Sequence, residues 1–104
     1  MAYDARDNDS ASFSAFDRYV KDAPGDPVGW YYHGYAHGKA GRLESAVADL
    51  TRAITMRMPG PNAYRFRALS FLAMGNAAKS CADGTAAATL GDASAAALVL
   101  KHCQ

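Results

Sequence analysis

The chain repeats itself at a fixed interval, and this repeat limits the folds open to it more than any other feature of the sequence. The interval that separates Pro27 from Pro61 also separates Gly41 from Gly75, and proline and glycine are residue types that begin and end helices. The same shift pairs small, acidic and aromatic residues: Trp30 with Tyr64, Tyr32 with Phe66, Ala48 with Ala82, Asp49 with Asp83, Thr51 with Thr85, Ala53 with Ala87 and Thr55 with Thr89. The sequence therefore predicts two copies of one supersecondary unit, with a repeat interval of about 34 residues.

Each copy is predicted to be a pair of helices joined by a short turn. In the first copy Asp26 is an N-cap residue followed by proline, and the helix it starts runs to about His37. One face of this helix carries residues three and four apart: Trp30, His33, Gly34 and His37. A second helix over about 43–56 has an apolar stripe of Leu43, Ala46, Val47, Leu50, Ala53 and Ile54. Helices joined by so short a turn lie antiparallel.

This arrangement resembles the tetratricopeptide repeat. In that family an aromatic residue early in the first helix precedes a small residue, a turn glycine, small and bulky residues in the second helix, and a proline. The corresponding residues here are Trp30, Gly34, Gly41, Ala46, Leu50, Ala53 and Pro59 in the first copy, and Tyr64, Ala68, Gly75, Ser80 and Ala87 in the second. Gly84 departs from the pattern, because the family has a bulky residue there. The resemblance implies an all-α fold, a short right-handed α-solenoid of antiparallel helix hairpins. In such a fold these residues pack between the helices.

One domain is predicted around the two copies. At 104 residues the chain has the size of a single domain that buries about 65% of its unfolded surface. We expect a disordered tail over residues 1–8 and a tetratricopeptide-like domain over residues 9–104, with repeat 1 at about 27–60, repeat 2 at about 61–92, and flanking helices at about 9–22 and 93–103. Asp9 or Ser10 is the expected cap of the first helix. By its register this helix matches the second helix of a repeat, and it is either an N-terminal cap or the remnant of a longer array.

Composition and charge exclude several classes of function. The formal net charge of +1 gives no strong field for nucleic acid or an anionic membrane, so we expect no nucleic-acid partner. No apolar run approaches the ~20 residues that a membrane helix needs, so we expect no membrane span. Residues 1–10 lack the apolar segment of a signal peptide. The compartment stays open between the cytoplasm and, if a leader has been removed, the periplasm or the exterior.

Aromatic residues off the packing face give the main functional prediction. In the family, this other face of each first helix lines a concave groove that holds peptides. The matching residues here are Tyr31, Tyr32, Tyr35, Lys39, Asn62, Arg65, Phe66 and Leu69. Tyrosine suits such a surface, since it offers rigid apolar area together with a hydroxyl group. The resemblance implies a non-enzymatic protein–protein interaction module that binds a peptide or partner segment, or alternatively an adaptor or chaperone part of a longer array.

His33 and His37 are the candidate metal ligands, because histidines four residues apart on a helix can hold one ion. Gly34 follows His33, so the metalloprotease His-Glu-x-x-His motif is absent, and no carboxylate is evident from the sequence to complete a site. We therefore favour two partly buried histidines bonded to backbone or tyrosine hydroxyls. A small metal- or haem-associated protein is the alternative function. No cofactor and no catalytic residue is predicted.

The last predicted helix carries two further hypotheses. Cys81 and Cys103 can form one disulfide if their Cα atoms lie within about 7 Å, but two unbonded, small apolar thiols are the favoured interpretation. Ala96, Val99, Leu100 and Cys103 form a second apolar face on this helix. Exposed apolar faces of this kind mark interaction surfaces, so the sequence predicts a homodimer through the C-terminal helix or, alternatively, a further repeat that packs on this face.

Overall fold

Helices separated by short turns make up most of the chain that the structure describes. The structure is a computed structural model, and it describes the backbone of residues 5–103 and the side chains of residues 13–103. Within residues 5–103 the helices are α1 (Ala5–Asp22), α2 (Pro27–Lys39), α3 (Leu43–Thr55), α4 (Asn62–Ala73), α5 (Ala77–Thr89) and α6 (Ala93–His102). The same residues contain no strand, so the all-α prediction is confirmed. None of these helices is long and apolar enough to cross a bilayer.

Each helix packs against the helix that follows it in the chain, from α1 on α2 to α5 on α6. The first helices of the two predicted repeats, α2 and α4, also contact each other. Gly41 and Gly75 follow α2 and α4 with φ angles of 82° and 80°, a backbone conformation in which L side chains are strained. Glycine in both turns therefore lets the chain reverse direction at equivalent points of the two hairpins.

The start of α1 differs most from the prediction. The helix begins at Ala5, so Asp9 and Ser10 lie inside it rather than at its cap, and residues 5–8 are helical rather than disordered. The rest of the predicted tail, residues 1–4, lies outside the described residues. Residues 5–8 carry no apolar period, but a helix already nucleated by the residues that follow can extend through a polar segment, because nucleation is the unfavourable step.

The core lies between α2, α3 and α4. Its buried members are Tyr31, Leu50, Ala53 and Ala63, with Trp30, Ile54, Met58 and Phe66 packed around them. Gly34 lets α2 approach α3 closely: a Cβ atom there would stand 3.0 Å from Leu50 Cγ and 3.2 Å from the carbonyl oxygen of Ala46. The small residues of the pattern are fully buried at Ala46, Ala53, Ala68 and Ala87.

Trp30, the aromatic residue of the repeat pattern, is only partly buried. Its indole N–H donates to the carbonyl oxygen of Pro24 at 2.8 Å, and the Arg52 guanidinium lies 4.5 Å from the ring centroid. These polar partners place Trp30 at the edge of the core rather than at its centre. Tyr64, its counterpart in the second copy, is also partly buried and lies 5.9 Å from the Arg67 guanidinium.

A disulfide between Cys81 and Cys103 ties the end of α6 to α5, and their Cα atoms lie 5.7 Å apart. The interpretation of two unbonded thiols is therefore wrong. The reason is the close packing of the two helices, since a Cβ atom on Gly84 would stand 3.0 Å from Val99 Cγ2. Val99 accordingly faces α5. Leu100, another residue of the predicted second apolar face, is 70% exposed. The homodimer through α6 stays a prediction.

Candidate functional site

A cavity between α2 and α4 brings together part of the predicted groove. Its volume is about 260 Å³. Gly34 and Gly38 of α2 border it. The predicted groove residues in its lining are Tyr35, Lys39, Phe66 and Leu69.

Aromatic rings form one wall of this cavity. The Tyr35 and Phe66 ring centroids lie 5.0 Å apart at 67°, an edge-to-face pair. Leu69 is 43% exposed, and Lys39 Nζ lies 5.7 Å from the Tyr35 centroid. The cavity therefore combines an aromatic wall with an exposed aliphatic side chain, which suits an apolar side chain.

The other predicted groove residues lie outside the cavity lining. Tyr31 is buried in the core, where burial raises the pKa of its hydroxyl, and this corrects the expectation that it lies off the packing face. Tyr32 is exposed and stacks 5.5 Å from an aromatic ring of α1. Arg65 donates to Asp92 Oδ2 at 3.0 Å, and Asn62 is exposed at the start of α4. Tyr31 was misplaced because α4 packs alongside α2 and covers part of its outer face.

A second candidate site is a group of histidines and carboxylates between α1, α2 and α3, named here the His–Asp cluster (Asp17, His33, His37 and Asp49). His33 Nδ1 is hydrogen-bonded to Asp49 Oδ2, and both residues are buried. His37 Nε2 lies 3.6 Å from the same carboxylate oxygen. On the opposite side of the His33 ring, Nε2 lies 3.4 Å from Asp17 Oδ1. One carboxylate oxygen thus faces both histidines.

A hydrogen bond from outside the cluster fixes the tautomer of His37. Arg42 Nε donates to His37 Nδ1 at 2.8 Å, so Nδ1 is an acceptor and the ring proton is on Nε2, toward Asp49. Burial lowers the pKa of His37, and the neighbouring His33 acts in the same direction. His37 is therefore a neutral imidazole whose N–H points into the cluster.

Helix α1 covers the outer side of the cluster. The Phe13 ring lies 4.9 Å from the His33 ring and 4.6 Å from the His37 ring, measured between centroids. Asp17 pairs with Lys21 at 2.9 Å, and this hydrogen bond holds the pKa of the Asp17 carboxyl below its usual value. An aromatic ring and a charged carboxylate therefore close the cluster on this side.

The cluster corrects two expectations from the sequence. Carboxylates do stand beside the histidines, and His33 is hydrogen-bonded to Asp49 and His37 to Arg42 rather than to backbone or tyrosine hydroxyls. The repeat itself contained the signal for the Asp49 contact. A shift by one repeat interval pairs Asp49 with Asp83 and His33 with Arg67, so an acidic residue and a basic residue recur at one spacing in both copies. The spacing of apolar residues could not reveal this acidic–basic pair, because it takes no account of polar residues.

Arg67 and Asp83 make the equivalent contact in the second hairpin. Arg67 Nε and Nη2 donate to the two oxygens of Asp83, both at 2.7 Å, and this hydrogen bonding raises the Arg67 pKa. Arg67 Nη1 also donates to Thr51 Oγ1 at 3.1 Å. This contact corresponds to that of His33 with Asp17, because each residue lies one repeat interval after its counterpart. The repeat in the sequence is therefore also a repeat of side-chain contacts.

A scan against protein-family models found no match, and a search of curated proteins found no similar sequence.

Proposed function

We propose that the chain is a tetratricopeptide-like helical solenoid that binds a segment of a partner protein in the cavity between α2 and α4. The observation that carries this proposal is the cavity of about 260 Å³, with its aromatic wall of Tyr35 and Phe66 and the exposed Leu69. It opens between the first helices of the two repeats, where the resembled family holds peptides. The side-chain contacts that recur from one hairpin to the next, at the repeat interval of the sequence, support the assignment to this kind of repeat.

The partner segment is expected to insert one apolar side chain. Drug-sized ligands occupy pockets of about 300–1,000 Å³, so a cavity of about 260 Å³ suits one aliphatic or aromatic side chain better than a whole ligand. An apolar anchor in a pocket, with charged groups at the rim, is a common arrangement of binding hot spots.

Leu69→Glu tests this proposal without weakening the core. Leu69 lines the cavity and is 43% exposed, whereas Phe66 packs on the core, so that its truncation would affect folding and binding together. Leu90→Glu is the matched control, since Leu90 is 52% exposed and lies outside the cavity lining. Both variants should melt like the wild-type protein, because surface substitutions usually change stability by about 0.5 kcal/mol or less.

The probe is a peptide selected on the wild-type protein from a random displayed library, with its affinity measured by calorimetry. Leu69→Glu should weaken the selected peptide at least about tenfold, as expected for a hot-spot residue, while Leu90→Glu leaves the affinity unchanged. A library that yields no peptide, or peptides that bind Leu69→Glu as well as the wild type, contradict the proposal.

A further inference from the structure

We propose that His33, His37 and Asp49 form a binding site for one divalent transition-metal ion, of which Zn²⁺ is the representative. One ligand atom from each of the three residues lies within 4.8 Å of the other two. Imidazole nitrogen and carboxylate oxygen are the ligands that Zn²⁺ takes alongside thiolate. The two histidines come from one face of α2 and the carboxylate from α3, so the site joins the two helices of the first hairpin.

The distances suit tetrahedral coordination after one small change. Ligand atoms about 2.0–2.2 Å from a tetrahedral ion stand roughly 3.3 Å from one another. His37 Nε2 and Asp49 Oδ2 already lie 3.6 Å apart. His33 Nδ1 and Asp49 Oδ2 share a hydrogen bond, and they must separate as the ion replaces the proton between them. Three protein ligands leave a fourth position for water.

Asp17 stands where metal sites place a supporting carboxylate. Ligating histidines usually donate their second ring N–H to a carboxylate or carbonyl, which orients the ring. His33 Nε2 is buried and makes no hydrogen bond in this arrangement, although Asp17 Oδ1 is 3.4 Å away at a distance that allows an ion pair. When an ion takes Nδ1, the ring proton moves from Nδ1 to Nε2, and a slight rotation of the His33 ring lets this N–H donate to Asp17 Oδ1. Asp17 is therefore assigned as a positioning residue for the site.

Arg42 competes with the ion for His37. Its Nε–H donates to His37 Nδ1, so the ring proton sits on the nitrogen that would bind the metal. Coordination through Nε2 moves the ring proton to Nδ1, where it would face the Arg42 N–H, so the guanidinium must leave. Arg42 is exposed, lies over the Phe13 ring at 4.6 Å and is able to swing into solvent. Removing this side chain should therefore strengthen metal binding.

The second hairpin is an internal control for the ligand set. It places Arg67 and Phe71 at the positions of His33 and His37, one repeat later. An arginine and a phenylalanine do not ligate metals, so Asp83 has no partners for an ion. One equivalent of metal is the expected stoichiometry.

The test is a titration of the untagged full chain with Zn²⁺ by calorimetry and with Co²⁺ by visible absorption, near neutral pH. His37→Phe, which copies the second hairpin, and Asp49→Asn should each weaken binding at least about tenfold, and Asp17→Asn should weaken it by a similar factor, as is typical for residues that support a ligand. Arg42→Ala should tighten binding severalfold. His102→Ala, at an exposed histidine of α6, is the control and should bind like the wild type.

Circular dichroism verifies that each variant is folded, and His37→Phe keeps the test decisive if Asp49→Asn does not fold. One equivalent of tightly bound metal that His37→Phe abolishes supports the site. The proposal is overturned if neither the wild type nor Arg42→Ala binds Zn²⁺ below about millimolar, which corresponds to roughly 4 kcal/mol. It is equally overturned if binding survives His37→Phe or is lost with His102→Ala.

Discussion

The two hairpins, α2–α3 and α4–α5, share a backbone pattern but differ in the polar pair that joins their helices. The second uses Arg67 and Asp83, a permanently charged and bidentate pair. The first uses His33 and Asp49, and His37 faces the same carboxylate. The same position in the repeat thus carries an arginine–aspartate ion pair in one copy and, in the other, a histidine–aspartate pair with a second histidine beside it.

The hairpins also differ in how they fill the space beside the second helix. The first has Leu50, which is 1% exposed. The second has Gly84 at that position, and α6 approaches closely enough to place Val99 and Leu98 there instead. A repeat can therefore keep its backbone while the bulky residue moves to a neighbouring helix, and the disulfide holds that neighbour in place.

Loss of the fixed charge pair should have the largest effect on stability. Arg67→Leu leaves Asp83, whose side chain is 8% exposed, without its partner, and this should lower the free energy of unfolding by about 3–5 kcal/mol. Adding Asp83→Leu should restore much of the loss, because an apolar pair of similar volume is tolerated. Urea unfolding measures both, and a single variant no less stable than the double variant contradicts this account.

The matched change in the first hairpin sharpens the comparison. His33→Leu should lower the free energy of unfolding by less than Arg67→Leu, because His37 Nε2 remains 3.6 Å from Asp49 as a second donor. Equal losses at the two positions, measured in the same urea experiment, show that His37 does not compensate.

Glycine-to-alanine substitutions should also affect the stability of the two hairpins differently. Gly34→Ala places a Cβ atom 3.2 Å from the backbone carbonyl of Ala46 and should be destabilising by about 1–3 kcal/mol. Gly84→Ala meets only the ends of the Val99 and Leu98 side chains, at 3.0 and 3.3 Å. Those ends can move, and alanine gains about 1 kcal/mol in helix propensity over glycine, so Gly84→Ala should be nearly neutral. Thermal melts of the two variants test this, and equal melting temperatures refute it.

The smallest expected effect concerns helix capping. Asp26 accepts a hydrogen bond from the backbone N–H of Val28 at 2.9 Å, whereas Pro61 provides no side-chain cap for α4. Asp26→Ala should be destabilising by about 1 kcal/mol, and Asp26→Asn, which keeps the cap, by a few tenths. If Asp26→Asn proves as destabilising as Asp26→Ala in urea unfolding, the charge of Asp26 and its bond with the Tyr19 hydroxyl matter more than the cap.

Most of the fold could be predicted from the sequence, because proline, glycine and apolar spacing act locally. Helices α2, α3 and α6 begin and end within two residues of the predicted bounds. The start of α1 could not be predicted, since residues 5–8 carry no apolar period.

Less of the candidate site could be predicted. Tyr35 and Leu69 do line the cavity, because helical spacing places them on the outer face. Spacing alone did not reveal that the neighbouring helix covers Tyr31, since that depends on how α2 and α4 lie together. Asp49 was missed for a different reason: a buried carboxylate is invisible to a search for apolar residues, and only its partner His33 explains its burial.

The packing of each helix on its successor has a consequence for folding kinetics. Because contacts join helices that are close in the sequence, little loop-closure entropy opposes them, and folding is expected within microseconds to milliseconds. Helix α6 is held to α5 by the covalent link between Cys81 and Cys103, whereas α1 lies on α2 through noncovalent contacts. Under oxidising conditions local opening should therefore start at α1 and expose the His–Asp cluster.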